Sequence, residues 1–119
     1  MKIAIAATAP RTDAPVDDRF GRCPYFVIID DQEISSVSNP GLRAAGGAGV
    51  ATAQYLAVQK VDAVCAGNVG PNALAVLAAA KIRVYQTIAG TVRDNLDALR
   101  DGRLTAVNSA TVPSHTGSR

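Results

Sequence analysis

The sequence has no tryptophan, one histidine, one methionine and two cysteines, and only 4% of its residues are aromatic. A core with so few rings must be built from Ala, Val, Leu and Ile, which favours helices packed closely on a sheet. Two cysteines cannot form a four-cysteine metal site by themselves, so a metal cluster would need other ligands, another chain or its own sulfides. With a single imidazole, no nucleophile–base pair indicates hydrolysis.

Strong charge of one sign and long apolar runs are also missing. The chain has 12 basic and 10 acidic residues, a net charge of +2. No block of Lys or Arg indicates nucleic acid, although a groove of basic residues distant in sequence is left open. No apolar run has the length of a membrane span, and the N-terminus lacks the features of a signal peptide. We therefore expect a cytoplasmic protein with no nucleic-acid or membrane partner, whose cysteines are not in a disulfide.

What the sequence does contain is typical of one globular domain. Hydrophobic residues make up 48% and charged residues 18% of the 119 residues, enough for a core of its own. We assign residues 1–104 to the domain and predict a flexible tail over 105–119, which is rich in Ser and Thr.

The apolar patterns predict an α/β fold. They indicate strands over 2–7, 25–30, 34–38, 61–66 and 82–85. Helices are predicted over 49–59, over 72–80, and from an N-cap at Thr91 with a capping-box partner at Asp94 to a stop at Gly102. A hairpin and right-handed crossovers give a mixed five-stranded sheet of order 3-2-1-4-5, with strand 2 antiparallel.

This order brings three loops to one edge of the sheet. They are the loop at Phe20–Cys23, the turn at Gly46–Gly49 and the turn at Gly67–Asn72. The carboxyl ends of parallel strands are where open α/β sheets bind ligands, and the two glycine-rich turns open helices whose free amides favour an anion. The sequence therefore predicts an anion-binding, glycine-lined pocket with a thiol beside it.

The motifs together resemble the dinitrogenase iron–molybdenum cofactor biosynthesis family, of the NifX-like cofactor-carrier type. The resemblance covers about residues 1–104. It is carried by Met1-Lys2-Ile3-Ala4-Ile5, Arg19-Phe20-Gly21-Arg22-Cys23-Pro24-Tyr25-Phe26, Asn39-Pro40, Gly46-Gly47-Ala48-Gly49, Val61-Asp62-Ala63-Val64, Gly67-Asn68-Val69-Gly70-Pro71-Asn72-Ala73, Gly90-Thr91-Val92 and Gly102-Arg103-Leu104.

The resemblance implies a three-layer ribonuclease H-like fold and a non-enzymatic carrier or scaffold for an iron–sulfur or iron–molybdenum cluster or its precursor. It also suggests partners from the iron–sulfur assembly machinery, and the oligomeric state is left open. Many members have a His just before Phe-Gly, where this chain has Arg19, and a Pro ending the first strand, where it has Ala7. The missing His leaves Cys23 as the main candidate for metal ligation.

The predicted site combines a binding surface and two metal ligands. The ligands are Cys23, whose thiolate we expect the neighbouring arginines to favour, and His115 from the tail. The alternative for Cys23 is an inert small residue, and for Arg19 and Arg22 a surface ion pair with Asp17 or Asp18. The predicted cofactor-binding residues are Arg19, Phe20, Gly21, Arg22, Gly46, Gly47, Gly49, Gly67, Gly70 and Asn72.

Two other functions are weighed against the carrier. A nuclease or phosphotransfer enzyme needs clustered carboxylates, yet strands one and four carry only Asp62, at the wrong edge. A regulator that binds a small anionic ligand or nucleotide without metal stays open, although Gly46–Gly49 lacks the Lys-Ser/Thr of a P-loop. Cys65, in a buried strand, is interpreted as a small core residue.

Overall fold

The computed structural model describes residues 1–44 and 46–107, and the predicted strands and helices are all present within two residues of their expected bounds. In chain order the elements are β1 (Lys2–Ala7), β2 (Tyr25–Asp30), β3 (Glu33–Ser38), a short 3-10 helix (Pro40–Arg43), α1 (Ala48–Val58), β4 (Ala63–Ala66), α2 (Pro71–Ala79), β5 (Arg83–Gln86), α3 (Val92–Arg100) and β6 (Thr105–Ala106).

The sheet has the predicted order with one more strand. Its order is β3-β2-β1-β4-β5-β6, so six strands are present and the prediction of five was wrong. β2 is antiparallel to β1 and β3, as expected, while β1, β4 and β5 are parallel. The added strand is Thr105–Ala106, which pairs antiparallel with β5. These two residues lie at the start of the predicted tail and extend the ladder, while the division into a domain of 1–104 and a flexible tail of 105–119 stays a prediction.

The sheet is covered on both faces, which gives three layers. Ala4 and Ala6 of β1 face a core shared with α1 and α2, including Leu56 and Leu77. The alternate residues of β1, such as Ile5, face a second core shared with α3. The strands alternate between the two faces because successive side chains of a strand point in opposite directions. Whether this arrangement is a ribonuclease H-like fold stays a prediction.

The third helix shows how local sequence sets an element's ends. Thr91 and Asp94 form the predicted capping box, in which each side chain accepts a hydrogen bond from the other residue's backbone amide. The helix ends before Gly102, whose φ of +73° is left-handed and favours glycine. Both signals were readable from the sequence, so this helix was placed correctly.

The strand register brings the predicted loops to one edge. Ala7, the last residue of β1, lies opposite Tyr25, the first of β2, and Tyr25 lies opposite Ser38, the last of β3. β4 and β5 are parallel to β1 and also end at this edge. The segments after β1, β3 and β4 therefore emerge side by side.

Candidate functional site

The loop between β1 and β2 is fixed against the turn that follows β4. The Phe20 amide donates to Asn68 O at 3.2 Å and the Asn68 amide donates to Asp18 O at 2.6 Å. Gly67 makes this approach possible, because a Cβ atom there would lie 2.6 Å from Asp18 O. A side chain at residue 67 would force the two backbones apart.

An ion pair between the buried Asp17 and the exposed Arg19 holds the first part of the same loop. Arg19 donates from Nε to Asp17 Oδ1 at 3.0 Å and from a terminal nitrogen to Asp17 Oδ2 at 2.9 Å. The Arg19 amide donates to the same carboxylate at 2.8 Å. These bonds from Arg19 lower the pKa of Asp17 below its ordinary value. The guanidinium is therefore committed to Asp17, which is the ion-pair alternative foreseen for Arg19.

Asn39 joins the loop to the helix beside it. Its side chain is 2% exposed and donates to Cys23 O at 2.9 Å and to Gly21 O at 3.1 Å. Its Oδ1 accepts from the Gly41 amide at 2.9 Å, which caps the 3-10 helix, and from the Thr52 hydroxyl at 2.7 Å. Because Thr52 lies in α1, one amide group ties together the 20–23 loop, the 3-10 helix and α1.

The loop then packs directly on the first turn of α1. A Cβ atom at Gly21 would lie 2.7 Å from Gly49 N and 2.8 Å from Gly49 Cα. These are backbone atoms of α1, so no side chain can move away to make room. The close approach places the loop beside the amino ends of both α1 and α2.

An open cleft of about 360 Å³ lies at this junction. We call it the glycine cleft. It is lined by the 20–22 loop, the turn into α1 and the turn into α2: Phe20, Gly21, Arg22, Gly47, Ala48, Gly49, Val50, Gly70, Pro71, Asn72 and Ala73.

The chemistry of the glycine cleft suits an anion. Two helices begin there, at the N-caps Gly47 and Gly70, and neither N-cap supplies a capping side chain. Within the described chain, no acceptor meets the first-turn amides of α1, those of Ala48, Gly49 and Val50. The helix dipoles add positive potential, and the lining contains Arg22 but no acidic residue.

The two thiols lie away from this cleft. Cys23 is 0% exposed, and its Sγ donates to Phe20 O at 3.4 Å. Burial, with a smaller contribution from the Asp17 charge, raises the pKa of Cys23 to about 12. Burial also raises the pKa of Cys65 to about 12. The expectation that nearby arginines favour a Cys23 thiolate was wrong, because Arg19 is paired with Asp17 and desolvation dominates.

Metal-ligand clusters are missing from residues 1–44 and 46–107: no three His, Cys, Asp or Glu side chains lie close enough to hold an ion. Among these residues there is also no helix with the length and apolarity of a membrane span. The glycine cleft offers backbone amides and a guanidinium instead of ligating thiolates, and such donors suit an anion.

Comparison with known proteins decides the family. The family model described as dinitrogenase iron-molybdenum cofactor matches residues 1–102. The chain belongs to this family. The apo form of the orange protein from Desulfovibrio gigas is 34% identical, with a TM-score of 0.89, over 93% of this chain and 96% of that one.

Two further relatives of this chain come from Thermotoga and from Methanocaldococcus jannaschii. A putative NifB protein from Thermotoga is 34% identical with a TM-score of 0.82, covering 95% of this chain and 98% of that one. An uncharacterized protein of Methanocaldococcus jannaschii is 28% identical over 87% of this chain and 89% of its own length. Family membership associates the chain with a metal–sulfur cofactor or its precursor.

The structure of this family member brings together most of the residues predicted to bind a cofactor. Those lining the glycine cleft are Phe20, Gly21, Arg22, Gly47, Gly49, Gly70 and Asn72. Their part in binding stays a prediction.

The remaining predicted residues lie elsewhere. Arg19 is paired with Asp17, and Gly67 supports the backbone contact with Asp18. Gly46 is exposed and does not line the cleft. Cys23 is in the core, so its role as a metal ligand stays a prediction that needs the 20–23 loop to open. His115 lies outside the described residues.

Sequence reasoning missed the hydrogen-bonded core behind the glycine cleft. Asn39 caps the 3-10 helix, and its amide nitrogen also holds the 20–23 loop. The Asn-Pro pair predicts a cap, but it does not predict a hydrogen bond to Cys23, sixteen residues earlier. Thr52 gave no signal, because a threonine inside a helix is unremarkable until its buried position is known.

The Asp17–Arg19 pair predicts how stability changes in acid. Because the folded pKa of Asp17 is lowered, its contribution is complete above the unfolded pKa, ordinarily 3.8, and is lost as pH falls through the folded pKa. Since Arg19 is exposed, we expect a loss of only about 1 kcal/mol. Urea unfolding between pH 5 and pH 2, about the range of carboxylate titration, should show a steeper fall for wild type than for Asp17→Asn.

The exposed pair Arg11–Asp13 provides the control for this measurement. The Asp13→Asn variant should follow the wild-type curve, because that carboxylate is exposed. An Asp17→Asn curve parallel to wild type over the same pH range would contradict the linkage.

Proposed function

We propose that this protein is a non-enzymatic carrier or scaffold that holds a preformed, anionic metal–sulfur cofactor or precursor in the glycine cleft. The observation that carries the proposal is the convergence of two helix amino ends and Arg22 on a cleft whose lining has no acidic residue. Iron–sulfur and iron–molybdenum species are anionic and present sulfide at their surface, which suits amide and guanidinium donors.

The glycines of the cleft support this proposal because some have no structural reason to be glycine. Gly70 has an ordinary φ of −72°, and a Cβ atom there would meet nothing within 4 Å. Gly47 is also open on the side where a Cβ would lie, although its φ of +64° by itself favours glycine. Both glycines line the cleft, and their small size leaves room for a bulky anion near the two helix amino ends.

Binding without a thiolate ligand distinguishes this proposal from ligation by Cys23. Burial of the Cys23 thiol raises its pKa to about 12, which disfavours the thiolate form that ligates metal. The cargo would instead keep its own sulfides, and the protein would hold it by charge and hydrogen bonds. Such a carrier can receive and release the cofactor intact, with iron–sulfur assembly proteins as the proposed donors and acceptors.

Arg22 is the side chain to test first. It lines the cleft, is exposed, and has no ion-pair partner within the described chain. Binding of tetrathiomolybdate, a coloured metal–sulfur dianion, can be followed by absorbance under anaerobic conditions. We expect Arg22→Gln to raise the Kd about tenfold, since loss of a charge-assisted hydrogen bond costs about 1.5 kcal/mol.

Arg43 supplies the matched control, because it is also exposed and unpaired in the described chain but lies outside the glycine cleft. Arg43→Gln should bind like wild type, and Cys23→Ser should retain binding. Loss of binding in Cys23→Ser with the fold intact would instead support thiolate ligation. His115→Ala tests the proposed tail ligand in the same assay.

A regulator that binds a small anion or nucleotide is the alternative. Inorganic phosphate and ATP, titrated against the same variants, separate the two functions. The Phe20 ring packs edge-to-face on Phe26 with centroids 5.7 Å apart and is 1% exposed, so it cannot stack on a nucleobase. Tight, Arg22-dependent binding of phosphate or ATP without any binding of tetrathiomolybdate would replace the carrier by the regulator.

A further inference from the structure

The outer edge of β3 is open to pairing. Among residues 1–44 and 46–107, β3 lies at the end of the sheet and pairs only with β2, through a continuous register of six residue pairs. Edge strands are commonly protected by proline, lysine or a bulge, and β3, with the sequence Glu-Ile-Ser-Ser-Val-Ser, has none of these. Ile34 on this strand is 49% exposed. The edge therefore offers backbone donors and acceptors to another strand.

A groove of about 260 Å³ runs beside this edge, on the face of the sheet that carries α1. We call it the hairpin groove. Ile28 and Val37 supply apolar surface. Tyr55 of α1 and the C-cap residue Gln59 contribute a second side, and Asp30 and Glu33 contribute acidic groups. An apolar base with a few polar groups is the usual form of a side-chain pocket.

The acidic groups of the hairpin groove form no close ion pair among the described residues, although Lys2 lies opposite Asp30 in the β1–β2 register. Asp30 and Glu33 lie directly opposite each other in the β2–β3 register, and like charges in such a pair repel. In the part of the chain that the structure describes, neither carboxylate forms an ion pair or accepts a hydrogen bond. Lys2 lies in the same groove, but its Nζ donates to Gln59 O at 2.8 Å.

We propose that β3 and the hairpin groove bind an extended segment of a partner protein that carries a lysine or arginine. The segment would add a strand to the sheet at β3, and its backbone would pair with the open edge. The aliphatic part of the basic side chain would cover Ile28 and Val37, and its charged end would reach Asp30 and Glu33. The carboxyl end of α1, near Gln59, adds negative potential there.

A second copy of this chain fits the surface less well. In an antiparallel pair of β3 strands related by a two-fold axis, each strand would bring serines, Ile34 and Val37 to the other. β3 itself contains no basic residue. Such pairing adds no cation beside Asp30 and Glu33. The charge of the hairpin groove therefore favours a basic partner segment over self-association.

The hairpin groove and the glycine cleft lie at opposite ends of α1. Gly49 and Val50 at its start line the cleft, while Tyr55 and Gln59 at its end line the groove. An 11-residue helix is about 16 Å long, so a partner at the groove leaves the cleft uncovered. This inference does not depend on what the glycine cleft binds.

Peptide titration followed by NMR of the ¹⁵N-labelled protein tests the proposal. The probes are alternating Thr/Val peptides that differ only in a central Lys, norleucine or Glu. We expect the Lys peptide to shift the amide signals of residues 33–38 and to bind about fivefold more tightly than the norleucine peptide, the effect of one partly exposed ion pair. The Glu peptide should not bind.

Variants test the charge directly. Asp30→Asn and Glu33→Gln should each weaken binding of the Lys peptide, whereas Asp97→Asn, an exposed carboxylate on α3, should not. Equal affinity for the Lys and norleucine peptides would overturn the basic specificity. Butylamine serves as a probe that carries the charged end of a lysine without a peptide backbone. If it binds at the hairpin groove while no peptide shifts the amide signals of β3, the groove is a small-cation site and strand docking is overturned. No binding of any probe would overturn the proposal entirely.

Discussion

The Asn39→Ala variant is expected to lose about 3 to 5 kcal/mol of the free energy of unfolding, because its side chain satisfies several buried polar groups. Alanine would leave the Gly21 and Cys23 carbonyls without their donor and the Thr52 hydroxyl without its acceptor. Unsatisfied buried groups cost about 1 to 3 kcal/mol each, and the lost cap of the 3-10 helix adds about 1 kcal/mol. Urea unfolding followed by far-UV circular dichroism measures the change.

Asn68→Ala is the control for this variant. Asn68 is exposed, and the bonds it forms with Asp18 and Phe20 use only its backbone. A loss below about 0.5 kcal/mol is expected there, as for most surface substitutions. If Asn39→Ala were as mild as Asn68→Ala, the link between the loop and α1 would not be a main source of stability.

The Gly21→Ala variant is expected to weaken anion binding at the glycine cleft by about tenfold or more, because the loop must move away from α1. The added methyl group would lie within 2.8 Å of two backbone atoms of Gly49. Overpacking of this kind costs about 1 to 3 kcal/mol of stability. Relief of the contact would shift Arg22 away from the helix amino ends, so affinity should fall even where the fold survives.

Alanine variants at two other glycines show whether the weaker anion binding of Gly21→Ala comes from its contact with α1 or simply from replacing a glycine. Gly46 and Gly70 both have space for a Cβ atom and neither has a left-handed φ. Gly46→Ala should leave stability and tetrathiomolybdate affinity unchanged, because Gly46 lies outside the cleft. Gly70→Ala should leave stability unchanged and reduce affinity modestly. Wild-type affinity in Gly21→Ala would contradict the proposed positioning of the loop.

The fold was largely predictable because its signals are local. Apolar runs identified β1, β2 and β4, the Thr91–Asp94 capping box identified the start of α3, and the hairpin and crossovers set the sheet order. β6 was missed because two exposed residues, Thr105 and Ala106, show no periodicity. Their strand conformation comes from pairing with β5, a tertiary contact that a local pattern cannot contain.

The candidate site was predictable as a region but not residue by residue. Strand order alone placed the three loops together, because the ends of parallel strands share an edge. It could not show that Arg19 turns back to Asp17, two residues away, while Arg22 lines the cleft. Nor could it show that Cys23 points into the core instead of toward a ligand, because the conformation of the loop before β2 depends on contacts with Asn39, which is distant in sequence.

The two buried cysteines give this protein a native pair of probes for motion. Cys23 belongs to the core beneath α1 and α2, and Cys65 belongs to the core beneath α3. A thiol reagent reacts with either sulfur only when the layer above it opens, so each labelling rate reports the opening free energy of one layer. The labelling rates of Cys23 and Cys65 in the wild-type protein thus report separately on the two faces of the sheet. Occupancy of the glycine cleft should slow the labelling of Cys23 and leave that of Cys65 unchanged.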